Sequence, residues 1–449
     1  MRNTLLLAFV LVWACGAQTD SSKAPAYRLL YSPTSQVPGA QSIVMFEVTP
    51  GLFYLLSALE GPSYGASVFT LTGSGKFNLI YSLQPYTQSY ALVQATNGML
   101  YGPGFIGQSN ANTSFYFSLD PSGQNPRQYP FPGKSGSLWQ TLVVPPGKLY
   151  DIVAANPTQS TRIYGFASIA ESGTIKILHE FSSTEGAPTG ANIVYGPDGN
   201  IYGIGNQQAN GGPGFIFRFT PTGSYSQLVT FPALPSILGS PLVAASDGNL
   251  YGAIFSGGTN NTGTVYQATL SGQLQTVANF PATGMSRPET LMEAADGNLY
   301  GTSNSNDIFR YNLATHQLSR VYHLAVGQGR CSCELIEGMD GKLYGVTPSG
   351  GNSPGIGAVF SLNIGLPKPT PGIAKMYPAS GPPGQTVLLW GNYLLGATSV
   401  AFNGVLATSV SITSTKSVLV TVPAGATTGP VTVTTANGSF TTTQNFTVQ

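Results

Sequence analysis

The chain has 449 residues, of which only 35 are Asp, Glu, Lys or Arg, and its formal net charge is +1. That length suggests two or three folding units, and so small and balanced a charge excludes long-range attraction to nucleic acid or to an anionic membrane surface. Solubility falls to the many Ser, Thr, Asn, Gln and Gly residues, and the scarcity of Glu and Lys argues for strands rather than helices.

At the N-terminus, Arg2 precedes an apolar run from Leu5 to Ala14. A bilayer-spanning helix needs about 20 such residues, so residues 1–17 read as an export signal rather than an anchor. The run ends in "VWAC", which resembles the lipobox of bacterial lipoproteins, in which the cysteine is lipidated after cleavage; Trp13 departs from that pattern. Two outcomes follow: a lipid on Cys15, with the signal ending before it, or ordinary cleavage near Ala17. Either places the protein outside the cytoplasm, secreted or anchored at the envelope, and the membrane is reached only through that lipid.

From residue 24 to 366 the sequence repeats. A Gly, an apolar residue and a Tyr recur as "PGLFY" (Gly51, Tyr54), "NGMLYG" (Gly98, Tyr101), "PGKLYD" (Gly147, Tyr150), "DGNIYG" (Gly199, Tyr202), "DGNLYG" (Gly248, Tyr251), "DGNLYG" (Gly297, Tyr300) and "DGKLYG" (Gly341, Tyr344). The Tyr-to-Tyr intervals of 47, 49, 52, 49, 49 and 44 residues suit a four-stranded propeller blade. In the fifth copy, "SPLVAA", "NLYGAIF", "TVYQATL" and "QLQTVANF" read as four strands, the first two joined through an Asp-Gly turn. Pro50 and Pro146 replace the Asp in two copies while the Gly stays. This assigns Asp198, Asp247, Asp296 and Asp340 to turn formation rather than to catalysis or calcium binding.

The fourth strand is expected to end in an aromatic: Tyr81, Phe131, Phe181, Phe231, Phe280 and Tyr322. The seventh copy stops after three strands, and "AYRLLYS" (26–32) has the pattern of the missing one. Pairing the two would close a seven-bladed ring and leave no open edge; an open β-solenoid is the alternative. Cys331 and Cys333, in "RCSCE", stand too close on an extended strand for a good disulfide, and no further ligands at zinc-like spacing accompany them.

The motif D-G-x-L-Y-G, the Gly-Gly that follows ("SGGTN" 256–260, "SGGNS" 349–353) and G-x-V-[FY] ("GTVYQ" 263–267, "GAVFS" 357–361) resemble the GloVer repeat of bacterial exported proteins. The resemblance implies an exported, β-propeller-like protein and implies no known activity. It is clearest in copies four, five and seven, whereas copies one to three lack the Gly-Gly.

A Pro-rich linker (367–371) leads into residues 372–449, where alternating runs such as "VLVTVP" and "PVTVTT" predict an immunoglobulin-like β-sandwich. "YPASGPPGQTV", "GNYLLGATSVAFNG", "VPAGATTGPVTV" and the closing "FTV" are similar to the IPT/TIG domain. Such domains serve as spacers or interaction modules, and this one has no Cys or His. The fold class expected is therefore all-β, a seven-bladed β-propeller followed by an immunoglobulin-like sandwich.

Only His179, His316 and His323 serve the whole chain, without metal-binding spacing, and no nucleophile or phosphate-loop motif appears, so no cofactor or metal is expected. Residues 287–342 hold 12 of the 35 charged residues. Within them, Glu293 and Glu337 each stand four residues before a turn Gly, where copies four and five carry Tyr195 and Ala244. If that strand lines the channel, the two carboxylates would face one polar ligand, with Arg287 and Arg330 near the rim. The leading reading is a non-catalytic, monomeric binding protein that takes a carbohydrate or an envelope protein. The alternative is a glycosidase or lyase acting on polysaccharide through the carboxylates of blades six and seven, since glycoside cleavage needs such a pair. A quinone-cofactor dehydrogenase is a third, weaker reading.

Overall fold

The computed structural model describes residues 24–32, 43–57, 65–85, 87–108, 111–131, 136–158, 161–182, 184–206, 213–232, 240–330, 334–347, 350–351 and 357–449. Residues 1–23, where the sequence leads one to expect an export signal and Cys15 stands, and Cys331 and Cys333 lie outside them.

Seven antiparallel sheets follow one another along the chain. Blade five shows the pattern: Val243–Ala244, Leu250–Ile254, Thr264–Ala268 and Leu274–Asn279, from the innermost strand outward. Blade six repeats it with Met292–Glu293, Leu299–Thr302, Asp307–Tyr311 and Leu318–His323. Blade seven takes Ile336–Glu337, Leu343–Thr347 and Ala358–Asn363 from its own segment and Ala26–Tyr31 from the start of the chain, which pairs with Ala358–Asn363 from Ala26↔Asn363 to Tyr31↔Val359. Seven apolar clusters sit between successive sheets, and one joins Phe53, Leu55 and Leu71 of blade one to Tyr344, Val346 and Val359 of blade seven. The sheets therefore form a closed ring.

Each inner hairpin turns where the sequence places it. All seven turn glycines have φ between 73° and 112°, the left-handed region that a residue with a Cβ enters at a cost of about 1–2 kcal/mol. The Asp-Gly pair does not form a two-residue loop by itself. Gly248 N–H donates to Ala245 O and Ala245 N–H to Asn249 O, so Ser246, Asp247 and Gly248 make a three-residue loop with the glycine as a bulge. The Asp carboxylate accepts the N–H two residues on and the hydroxyl of the motif Tyr: Tyr202 to Asp198 at 2.6 Å, Tyr251 to Asp247 at 2.7 Å, Tyr300 to Asp296 at 2.8 Å and Tyr344 to Asp340 at 3.0 Å. In copies one to three, which lack that Asp, the Tyr hydroxyl donates to a carbonyl of the next blade: Tyr54 to Pro121, Tyr101 to Glu171 at 3.0 Å and Tyr150 to Pro221 at 2.9 Å.

The glycine after the Tyr has a separate cause. Gly203 pairs with Phe217, and a Cβ on Gly203 would meet the Phe217 ring at 2.2 Å; Gly252 and Tyr266, Gly301 and Phe309, and Gly345 and Phe360 repeat the arrangement. The aromatic of G-x-V-[FY] therefore lies across a backbone with no side chain. Copy three has Asp151 in place of this glycine, and its partner is Ala167 rather than an aromatic.

The expected aromatic at the end of the fourth strand holds for four blades. Phe131, Phe181, Phe231 and Phe280 donate their backbone N–H to the carbonyls of Ser114, Tyr164, Gly214 and Gly263, which lie in the third strand or just before it. In blades one and six that place is filled by Leu83 and Leu324, while Tyr81 and Tyr322 lie two residues earlier. A large apolar group is what the site between blades requires, and Leu meets it.

The C-terminal unit is a sandwich of two sheets, one holding Gly372–Tyr377, Thr386–Asn392, Ser417–Thr421 and Val410–Ser414, the other built around Ala397–Phe402, Gly429–Thr435 and Gly438–Val448. Val387, Leu389, Val418, Val420, Val431 and Val433 meet in its core, where Phe402 packs edge-on against Phe446.

Gly203→Ala should destabilise the ring by about 1–3 kcal/mol through overpacking, and Phe217→Ala by about 3–5 kcal/mol through a cavity. Chemical denaturation of the double variant should show less loss than the sum of the two, as the natural Asp151/Ala167 pair implies; strict additivity would reject this explanation of the glycine.

Candidate functional site

The position four residues before the turn glycine lies at or near the end of the innermost strand, beside the inner turn. Three blades carry a carboxylate there: Glu47 in blade one, Glu293 in blade six and Glu337 in blade seven. Each reaches back to the inner turn of the preceding blade. Glu293 accepts the Ser246 N–H at 3.0 and 2.9 Å and also the Ser246 hydroxyl. Glu337 accepts the Ala295 N–H at 2.7 Å, and Glu47 accepts the Met339 N–H at 2.7 Å together with its own turn amide, Gly51, at 2.6 Å. Ser246, Ala295 and Met339 are equivalent residues, so the three carboxylates clamp blade six to five, seven to six and one to seven. Hydrogen bonds to an ionised group of this kind are about twice as strong as neutral ones.

Burial pushes the carboxyl of Glu47 above its ordinary range, against the pull of the Gly51 and Met339 amides. Burial does the same to Glu293, opposed by Ser246 and reinforced by Asp247 and Asp296. Glu337 is pushed up to about 7, by burial first; Tyr393 and the Ala295 amide oppose it, while Asp296 and Asp340 add to it. Its Oε1 is buried with no hydrogen-bond partner among the described residues.

The immunoglobulin-like domain packs on this turn face. Tyr393 donates to Glu337 Oε2 at 2.7 Å from a left-handed backbone with φ 53°. Asn437 Nδ2 donates to Met339 O at 2.8 Å and to Pro369 O at 3.0 Å. Lys375 Nζ donates to the Tyr195 hydroxyl at 3.2 Å and stands 5.1 Å from the centre of the same ring. Gly396 faces Pro50, whose Cγ an added Cβ would meet at 3.4 Å. Blades seven and one lie side by side and blade four lies across the ring from them, so the sandwich bridges the mouth of the channel.

Arg287 and Arg330 are not part of this arrangement. Both lie in connections leading to the inner strands, at the end of the ring opposite the turns. Arg287 rests over the Phe255 ring at 5.2 Å, and Arg330 pairs with Glu289 at 3.4 Å. The sequence places Glu293, Glu337, Arg287 and Arg330 around one ligand; the structure divides them, because the innermost strand separates carboxylate from guanidinium. The two carboxylates are engaged with turn amides, with the Ser246 hydroxyl and with Tyr393.

The opposite end, here called the loop face, holds residues that the reading of the sequence passed over. Asp307 is 1% exposed and accepts from Ser305 Oγ at 2.8 Å, lies 2.8 Å from His323 Nδ1 and pairs with Arg320 at 3.5 Å. Among the described residues no group of His, Cys, Asp and Glu is arranged to hold a metal ion, and no helix is long and apolar enough to cross a membrane. Glu47 is legible in the sequence, since it stands four residues before Gly51 as Glu293 stands before Gly297, but it lies far from the concentration of charge within 287–342.

These features define an all-β protein, a ring of sheets with one face covered by an immunoglobulin-like sandwich. Residues 238–401 match the family model of the Gloeobacter/Verrucomicrobia repeat and residues 371–448 that of the IPT/TIG domain, so the chain carries that repeat and ends in that domain. Among solved structures it is similar to a streptogramin B lyase, at 16% identity, covering 77% of this chain and 99% of that one with a TM-score of 0.55. It is also similar to virginiamycin B lyase from Staphylococcus aureus (14% identity, 76% and 98% covered, TM-score 0.52). A third likeness is to the extracellular domain of a hybrid two component system from B. thetaiotaomicron (12% identity, 95% and 57% covered, TM-score 0.52). At these identities the likeness shows the fold alone. No curated protein matches the sequence.

Glu337 yields a pH prediction. Its carboxyl is raised from 4.5 to about 7 in the folded chain, so between those values the folded state binds more protons than the unfolded state. Its contribution to stability is complete below about pH 4.5 and is lost as pH rises through 7. Thermal denaturation of Glu337→Gln should fall less steeply from pH 5 to pH 8 than that of the parent; parallel profiles would show that Glu337 does not titrate in this window.

Proposed function

We propose that this is an exported binding protein that presents the loop face of its propeller to a ligand or partner, while the IPT/TIG domain covers the turn face and fixes the ring. The observation that carries this reading is the bridging of the channel mouth from Glu337, Met339 and Pro50 to Tyr195. It leaves the connections between blades on the other face as the accessible groups, and loops held on a rigid scaffold are where binding residues concentrate.

Location outside the cytoplasm is supported by the apolar segment at Leu5–Ala14 and by the repeat and IPT/TIG matches. The similar structures include two lyases and an extracellular domain, so fold alone favours neither catalysis nor binding. Binding is favoured because the carboxylates proposed for a hydrolytic pair are engaged with the backbone. The ligand classes are carbohydrate and envelope protein, with Arg287 and Arg330 among the contacting groups, and the protein acts as a monomer.

Purified mature protein, immobilised and offered neutral glycans, acidic glycans and envelope extracts, should retain a ligand without releasing products. Phe255→Ala, which removes the support of Arg287, should weaken retention several-fold, whereas Asn437→Ala on the turn face should not. Turnover of any retained polymer would replace this reading with an enzymatic one.

A further inference from the structure

Blade six differs from its neighbours on the loop face. Its second and third strands are joined by residues 303–306, four in number, against nine in blade five (255–263) and ten in blade seven (348–357). Around this short connection gather cations that the repeat does not require.

The hydrogen bonds join them into one network. Arg330 Nη2 and Asn304 Nδ2 both donate to Glu289 Oε1, at 3.4 and 3.0 Å. Asn304 N–H donates to Arg287 O at 2.9 Å, and Ser286 N–H to Ser305 Oγ at 2.9 Å. Ser305 in turn donates to Asp307, which holds His323 and Arg320. The acids lie inward and the bases outward: the Asp307 and Glu289 side chains are 2% and 17% exposed, those of Arg320, His323 and Arg330 51%, 54% and 49%. Arg287 is exposed as well, with the Phe255 ring beneath it. An approaching molecule therefore meets guanidinium and imidazole groups first.

We propose that the loop face of blade six is a subsite for the carboxylate groups of an acidic saccharide, contacted by Arg287, Arg320, Arg330 and His323. The proposal rests on the binding role given above and names the class of ligand. Guanidinium groups bind carboxylates through two parallel hydrogen bonds. Ordinarily a free Arg loses side-chain entropy on binding; here Asp307 and Glu289 hold Arg320 and Arg330, and an aromatic ring holds Arg287, before the ligand arrives. The exposed guanidinium stacked on Phe255 also offers a flat surface to a sugar ring. A compact phosphate would engage one or two of these groups, whereas a linear polyuronate, with a carboxylate on every residue, can engage several along the network.

The test is titration calorimetry of the full mature chain with a linear five-residue oligouronate and its fully methyl-esterified neutral form. The uronate should bind and the ester should bind at least ten-fold more weakly. Arg320→Gln/His323→Gln/Arg330→Gln should lose ten-fold or more in affinity for the uronate. Arg287 makes no ion pair among the described residues, so Arg287→Gln leaves the Asp307 and Glu289 pairs in place, and it should lose about three- to five-fold. Raising salt from 50 to 500 mM should weaken the parent more than the triple variant. Equal binding of uronate and ester, or unchanged affinity in Arg287→Gln, would overturn the acidic subsite while leaving the binding role intact. Failure of the uronate to bind, with a neutral glycan or a protein still retained, would overturn the subsite alone; retention of nothing from any arm would overturn both.

Discussion

The antiparallel pairing of Ala26–Tyr31 with Ala358–Asn363 is the contact on which the remaining structure depends. Without it blade seven would end in an unpaired strand, and blade one would face it without the Phe53, Tyr344 and Val359 cluster sealed from water. Open strand edges are templates for association, and a ring that shares its last blade between the two ends of the propeller removes that liability. The same seam carries Glu47, the carboxylate clamp that crosses from blade one to the turn of blade seven, and the Asn437 and Gly396 contacts of the sandwich. Three kinds of interaction thus converge on the one junction that chain connectivity does not secure.

Much of the ring was legible because its determinants are local. A turn glycine at positive φ, an Asp that accepts from its own Tyr, and a Tyr-Gly step overlaid by an aromatic each lie within a few residues of one another or on adjacent strands. They must be written again in every copy. The missing fourth strand of the last blade could be found by counting, since a four-stranded unit with three strands needs a donor.

The site was less legible, and the reason is geometric. Spacing from a turn identifies Glu293 and Glu337 as equivalents, yet it does not say whether a carboxylate faces the channel or reaches sideways to an amide on the next blade. Arg287 and Glu293 are six residues apart in sequence and belong to opposite ends of the ring. Asp307 and His323 lie on neighbouring strands of one blade, and their 2.8 Å contact follows from the pairing Asp307↔His323, a register that the sequence alone leaves open. The docking of Tyr393 and Lys375 on the turns joins two units whose separate folds are readable and whose mutual orientation is not.

The shared last blade also fixes an order of events. Ala26–Tyr31 and its partner strand are more than 300 residues apart along the chain, and every other neighbouring pair of strands in the ring is separated by a short connection. Of the described strands, the one made first is therefore the last to find its place. Contacts of such long range are slow to form, and until this one does the apolar side of "AYRLLY" and the edge of blade seven are exposed together. Until closure those two edges are open templates for association, and the seam is where the ring is most exposed to pairing with another chain.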